Sequence, residues 1–471
     1  MRSSKRCRIL VGAILLLILL NQILIYVLEP LQSSSSDKMW YGYQNREEID
    51  TIFVGSSLVS RSLDPDQYDA VMGTHSYNMG TNAQMFAQSY TAIETAWREH
   101  GIQTVILGIG YFEFQSSQGI GNEVAFYRAR NHYSSWSERI RNDLRYMFSK
   151  DNYTASVSLN YLFPWVYDHV TISPKTILEN VREKLNTGTG TQSSSLGEPG
   201  NGFGNGDYTE LDFNTLTYEE TSSAKSQKEN ESSYEELAKI CSFCQEKGIH
   251  LYVINMPLPE YYVVDFPEQY FARAEKIRST CEENGTAYYD FNVSKPELFE
   301  RRDSYYMDYE HMNAVGAEQF TSAVTDLVQR VEAGEDVTDL FYTQEEYLAS
   351  VDRIVCVNYT YEKTADGLGL QAYAYHGSKV RPEYRFLIWN EDTQQYDVLQ
   401  EYSTDSQLAV TSDVLEEYEA GSENGSVRIR VEARAAEDEL DASVVNAGGS
   451  SESACSSENE RVVRYYEEEI S

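Results

Sequence analysis

Basic residues are scarce in this chain of 471: 38 Lys and Arg stand against 74 Asp and Glu, a formal net charge of −36. Such a field repels phosphate backbones and anionic lipid headgroups, which sets nucleic-acid binding aside. Histidine is scarcer still, with seven copies, so the choice of a general base is short. Cysteine is thin as well: Cys7, Cys241, Cys244, Cys281, Cys356 and Cys455. Cys241-x-x-Cys244 lacks the second pair, or the His residues, that a zinc site requires. It lies in a helical pattern where two cysteines pack as small apolar groups, with a disulfide involving Cys281 as the alternative. No metal or cofactor is expected. Cys7 has no lipobox around it, so no lipid attachment is expected there.

What is present suits a folded chain: 41% hydrophobic and 13% aromatic residues can fill a large core over two or three domains. Ile9 to Leu28 reads ILVGAILLLILLNQILIYVL, about twenty mostly apolar residues, enough to cross a bilayer as a helix. Arg2, Lys5, Arg6 and Arg8 precede it, while Glu29 and Asp37 follow. That asymmetry places residues 1–8 in the cytoplasm and everything after Leu28 outside the cell membrane, on a single-pass anchor. A cleaved signal peptide would end in small residues of the Ala-x-Ala kind. Here Tyr26-Val27-Leu28-Glu29-Pro30 follows, so an uncleaved anchor at 9–28 is expected, with residues 29–44 as a stalk.

From 45 to 335, short apolar runs alternate with helical patterns. Ile49–Val54, Ser76–Met79, Thr104–Ile109, Ile249–Met256 and Ala287–Phe291 read as strands; Met85–His100, Tyr234–Lys247, Pro267–Glu283 and Asn313–Ala333 read as helices. The alternation predicts an α/β domain with a parallel sheet covered on both faces. Residues 111–233 interrupt it and are too long for a simple connection, so they must hold structure of their own. Tyr127–Phe148 looks helical and Leu159–Val170 is aromatic, which suits a cap over a site or an ordinary helical subdomain. Residues 186–232, rich in Gly, Ser, Thr and Asn, read as a flexible surface loop. A linker at 336–350 leads to a small β-sandwich at 351–435, whose EYRFLIWNEDTQQYDVLQEYS pattern resembles the Tyr-rich immunoglobulin-like modules of extracellular bacterial enzymes. Trp389 there could stack on a sugar, although such alternating aromatics are core residues first. Residues 436–471, acidic and Ser-rich, read as a disordered tail.

A hydroxyl directly after a buried first strand stands at the carboxyl edge of a parallel sheet, where open α/β folds hold their ligands. Ser56 and Ser57 are there. A serine is a weak nucleophile unless a base takes its proton and a third group orients that base. Among the seven histidines, His311 has the fitting neighbourhood. Asp308-x-x-His311 follows the fifth strand, and its spacing lets a carboxylate and an imidazole face the same side of one turn. Alone, such a pair is more often a helix cap beside a surface histidine.

Gly55-Ser56-Ser57 after the first strand and Asn78-Met79-Gly80-Thr81-Asn82-Ala83-Gln84 after the second resemble blocks I and II of the SGNH, or GDSL-like, hydrolases. Thr104–Gly110 resembles block III, and Asp308-Tyr309-Glu310-His311-Met312-Asn313 with Gly316 resembles block V, so that the resemblance covers residues 45–335. Within that superfamily the chain is most similar to membrane-anchored bacterial members related to alginate-type O-acetyltransferases and the lipoteichoic-acid D-alanylation protein. The resemblance implies a flavodoxin-type parallel sheet with a helical insertion. It implies Ser57 as nucleophile, His311 as general base and Asp308 as the partner that orients it. The oxyanion hole would combine the Ser57 N–H with a donor from Gly80, Asn82 or Ala83. Block III departs from the family: Leu107-Gly108-Ile109-Gly110-Tyr111 has no Asn. Loss of one oxyanion donor costs on the order of a hundredfold or more in rate, which favours a partner-fed acyltransferase over a free-standing esterase. The implied reaction passes an acyl group through Ser57 to a hydroxyl of an envelope polysaccharide or teichoic-acid-like polymer. The implied partner is a multi-pass membrane-bound O-acyltransferase. A surface carbohydrate esterase and a catalytically silent envelope scaffold are the alternatives.

Overall fold

Thr51-Ile52-Phe53-Val54 forms strand β1 and is buried at every position, as a strand covered on both faces must be. It pairs in parallel with β2 (Ser76–Asn78) on one side and β3 (Thr104–Ile109) on the other. With β4 (His250–Asn255) and β5 (Tyr288–Asp290) it makes a five-stranded parallel sheet of order β2-β1-β3-β4-β5, the flavodoxin-type order expected. The computed structural model describes residues 2–30, 34–114, 120–147, 162–167, 169–186, 200–222, 229–420, 422, 425–436 and 463–470.

Local chemistry sets the first helices. After the long N-terminal helix α1 (Arg2–Leu28), α2 runs over Ser35–Gln44 and begins with a capping box in which Ser34 and Asp37 satisfy each other's backbone N–H. Helix α3 (Ser57–Ser62) starts at the end of β1. Helix α4 (Pro65–Met72) is capped by the Asp64 carboxylate, takes Pro65 in its first turn and ends on Gly73 in the left-handed conformation. Helix α5 (Phe86–His100) buries Phe86, Ala92, Ile93 and Ala96 on one face. The insertion contributes α6 (Ile120–Tyr133), α7 (Trp136–Met147), the short α8 (Pro164–Tyr167) and α9 (Pro174–Asn186). Helices α10 (Glu231–Lys247), α11 (Pro267–Glu283) and α12 (Ala314–Glu332) complete the α/β part. Cys241 and Cys244 lie on α10 and are buried there.

The described chain divides into two compact units, one of residues 1–205, 229–254 and 280–287, the other of 206–228, 255–279 and 288–471. The second carries two antiparallel sheets built from β6 (Ile354–Thr364), β7 (Gly367–His376), β8 (Pro382–Asn390), β9 (Gln395–Ser403), β10 (Gln407–Thr411), β11 (Val427–Ala435) and β12 (Arg464–Ile470). Their orders are β10-β7-β6 and β12-β11-β8-β9. One apolar cluster takes side chains from both sheets, among them Tyr359, Leu370, Phe386, Ile429 and Val431, which makes the pair a sandwich.

Four segments differ from expectation. Residues 29–44 are more than a stalk: Met39, Trp40 and Tyr43 of α2 are buried, and the Trp40 ring meets Tyr43 and Phe126 edge-on, each with centroids 5.5 Å apart. Burying those three rings drives the segment onto the domain. The stretch 186–232, expected to be a flexible loop, is held by hydrogen bonds at Asn201, Gly204 and Asn205 and buries Phe213, Leu216 and Thr221, while 206–210 is exposed; 187–199 and 223–228 lie outside the described residues. The linker expected at 336–350 contains a helix, Gln344–Ser350, whose Tyr347 is buried and whose hydroxyl accepts from Arg301. The tail expected from 436 ends in β12, paired antiparallel with β11, while 437–462 lie outside the described residues. Its acidic composition hid an alternation: Tyr466 and Ile470 point into the core, and Glu467 pairs outside with Arg430 at 2.7 Å.

Candidate active site

Ser57 opens α3, half-buried, in the first turn of a helix, where backbone N–H groups lack helical partners. The turn that puts it there depends on close backbone approach. Gly55, at φ +155°, lies against β3 so tightly that a Cβ would fall 2.4 Å from the Gly108 carbonyl oxygen and 2.5 Å from Val59 Cγ2. The Ser56 carbonyl accepts from Val59 at 3.0 Å and starts the helix, and the Ser56 side chain is buried.

Asn78, at the end of β2 and wholly buried, clamps this turn. Its carboxamide nitrogen donates to the carbonyls of Val59 (2.9 Å) and Leu63 (2.8 Å), and its oxygen accepts from the Gly80 N–H (2.9 Å). Gly80 in turn packs on α3: a Cβ there would come within 2.9 Å of the Ser60 nitrogen and 3.0 Å of the Ser56 oxygen. Of the three residues expected to offer an oxyanion donor, two N–H groups are therefore engaged locally, Gly80 with Asn78 and Asn82 with Ser35 Oγ at 3.2 Å. Ala83 sits at φ +50°, a left-handed conformation that a residue with a Cβ adopts at a cost, and its N–H has no partner among the described residues.

Sequence reasoning missed the wall on the other side of α3. Asn201 accepts the Asn78 N–H through its carbonyl (3.0 Å), Gly204 donates to the Ser60 carbonyl (2.9 Å), and Asn205 donates to that of Arg61 (2.8 Å). Gly202, at φ +85°, runs so close that a Cβ would lie 1.8 Å from the Asn78 carbonyl oxygen. Gly202, read as a sign of flexibility, is there because nothing larger fits. Glu113 was also missed: four residues past β3, it is 2% exposed and accepts the Gly110 N–H at 2.8 Å.

In the second unit the structure brings Asp308 and His311 together, as expected. They lie on a turn just before α12. Asp308 accepts the backbone N–H groups of Glu310 (2.9 Å) and His311 (2.7 Å), and its other oxygen lies 2.9 Å from His311 Nδ1. With Nδ1–H donating to the carboxylate, the lone pair is on Nε2, the atom from which a general base acts. Burial pushes the Asp308 carboxyl up, but the His311 ring and the two N–H groups outweigh it and hold it below its usual value.

Asn313, 1% exposed, fixes the turn to the helix. Its oxygen caps α12 at the Gly316 N–H (3.0 Å), and its nitrogen donates to the carbonyls of Ser304 (2.7 Å) and Thr209 (3.1 Å). Gly316 is required because a Cβ would meet the Tyr305 carbonyl oxygen at 2.4 Å. Tyr261 adds a hydroxyl to the Tyr309 carbonyl at 2.6 Å. At the end of β5, buried Asp290 takes donors from Tyr270 (2.8 Å), Asn255 (3.0 Å) and the Asn292 N–H (3.1 Å), yet burial still pushes its carboxyl above the usual value. Among the described residues no cluster of His, Cys, Asp and Glu has the makings of a metal site.

No protein-family model matches the chain, and no curated protein does. Among solved structures it is similar to a putative acylhydrolase from Bacteroides fragilis, at 8% identity over 62% of this chain and 94% of that one, with a TM-score of 0.27. A GDSL-like lipase from Bacteroides thetaiotaomicron gives 7% identity over 62% and 95%, with a TM-score of 0.28. A gut microbial diltiazem-metabolizing enzyme gives 10% over 80% and 76%, with a TM-score of 0.27. Superpositions this shallow assign neither family nor activity.

Proposed function

We propose that the chain is a membrane-anchored enzyme of the SGNH type that transfers an acyl group through an acyl-Ser57 intermediate to a hydroxyl of a bacterial cell-envelope polysaccharide or teichoic-acid-like polymer. The observation that carries this reading is the Asp308–His311 pair, with the carboxylate 2.9 Å from Nδ1, in a chain that also sets Ser57 at the carboxyl end of β1. His311 takes the Ser57 proton as Ser57 Oγ bonds to the acyl carbon, and Asp308 stabilises the imidazolium that forms. The imidazolium then gives its proton to the leaving oxygen. An acceptor hydroxyl, deprotonated by the same His311, attacks the acyl-serine and releases Ser57. The Ser57 and Ala83 N–H groups are the oxyanion donors in this reading, since those of Gly80 and Asn82 hold the loop.

An enzyme outside the membrane has no acyl-CoA at hand, so the acyl group comes from a multi-pass membrane-bound O-acyltransferase. Hydrolysis of the same intermediate differs only in the acceptor. The test uses the full chain in membranes with a serine-directed fluorophosphonate. The wild type labels, and Ser57→Ala and His311→Ala do not. Absence of wild-type labelling sinks the enzymatic reading and leaves a scaffold. Deleting the gene then separates the reactions: transfer predicts loss of envelope acyl esters, and hydrolysis predicts their excess.

A further inference from the structure

The apolar helix α1 has two different halves. Ile9 to Leu20 is exposed at every residue, whereas Asn21 and Leu24 to Leu28 are half-buried against the insertion. At ~1.5 Å of rise per residue the bare half is only about 18 Å long, well short of the ~30 Å hydrocarbon core that the whole of Ile9–Leu28 matches. A membrane crossed by α1 must therefore also hold its second half, and with it whatever that half touches.

What it touches is α8 and the chain around it. Asn21, seven residues before Leu28, donates to the Leu162 carbonyl at 2.9 Å and accepts from the Trp165 indole N–H at 2.8 Å. A carboxamide about 10 Å inside the end of a spanning helix is costly unless paired, and both of its groups are paired by this one short segment. Leu162, Val166 and Ile172 of the same stretch turn outward, 39%, 58% and 68% exposed. The last carbonyls of α1 are closed by side chains of α9 and by the loop before it. The Val170 N–H donates to Leu28 (2.9 Å), Asn180 to Val27 (3.0 Å) and Glu29 (2.9 Å), and Lys184 to Tyr26 (2.8 Å). Arg128 of α6 pairs with the Glu29 carboxylate at 2.6 Å. Lys184 is 2% exposed and Asn180 7%, so α1 covers polar groups that its removal would strand. A cation at a helix carboxyl end also suits the helix dipole.

We infer that Leu162–Val166, with Ile172 beside it, forms a second membrane element, inserted beside α1 into the leaflet next to the folded domain, with α9 lying at headgroup level. This rests on the reading of α1 as a retained anchor. The ligand is hydrocarbon and the interfacial zone, where Trp and Phe side chains of the kind at 165 and 163 partition.

The test is made on the full chain with Cys7→Ser and Cys455→Ser, reconstituted in zwitterionic lipid vesicles with an N-terminal epitope. The four other cysteines are buried. Spin labels at Val166→Cys, Ile172→Cys and, as the aqueous reference on α4, Val71→Cys report accessibility to oxygen against a nickel chelate. Insertion predicts a severalfold higher oxygen-to-nickel ratio at 166 and 172 than at 71. Equal ratios with the epitope retained overturn the inserted segment and leave the anchor. Loss of the epitope overturns the anchor itself and the inference with it.

Discussion

The Ser57 turn and the His311 turn are built by opposite means. Around Ser57 the fit is between backbones: Gly55, Gly80 and Gly202 exist to let main chains come together, and one side chain, Asn78, ties them. Around His311 the fit is between side chains and backbone: Asp308, Asn313 and Tyr261 each reach main-chain groups that the turn leaves open. A site of the first kind fails when an atom is added, and one of the second kind when an atom is removed.

The largest effect is expected from adding a methyl on the Ser57 side. Gly202→Ala places a Cβ on the Asn78 carbonyl at positive φ, and a loss of about 3 kcal/mol or more is expected in denaturant unfolding. A wild-type midpoint would break the comparison. Next comes deletion on the other side: Asn313→Ala removes the α12 cap and leaves two carbonyls without their donor, for about 2–4 kcal/mol, while Asn313→Asp keeps the cap and costs less.

Asp308→Asn is a finer probe because its cost depends on pH. The folded-state value of Asp308 lies below its unfolded value, so its contribution is complete above the unfolded carboxylate range, about pH 4, and fades as pH falls through the folded value. The gap in Tm between wild type and Asp308→Asn should accordingly narrow between pH 7 and pH 3, and a constant gap would mean that the carboxylate does not hold the turn. Smallest is Ser35→Ala, which takes the acceptor from the exposed Asn82 N–H and should cost about 0.5–1 kcal/mol in thermal unfolding.

Much of the α/β part was legible because its signals are local. Thr104–Ile109 is a continuous apolar run, and Pro267–Glu283 begins on a proline and keeps helical spacing, so both fall where expected. Asp308 and His311 were legible because three residues suffice to close the turn between them. Gly200 to Asn205 was not, since composition records only how little such residues bury and says nothing of how near another backbone they lie. Trp40 and Tyr43 were lost to their short, polar surroundings, and the partners of α1 were lost because Asn180 and Lys184 act across more than 150 residues.

β12 has a practical side. Residues 437–462 stand between it and β11, yet the register is unbroken from Val427 opposite Ile470 to Ala433 opposite Arg464. A strand held by a full ladder and two buried side chains, and joined by so long a connection, is separable in principle from the chain that precedes it. Without it, β11 is an open edge ready for strand addition. A synthetic heptapeptide of the sequence RYYEEEI carries the residues that would restore this ladder in a chain that stops after β11.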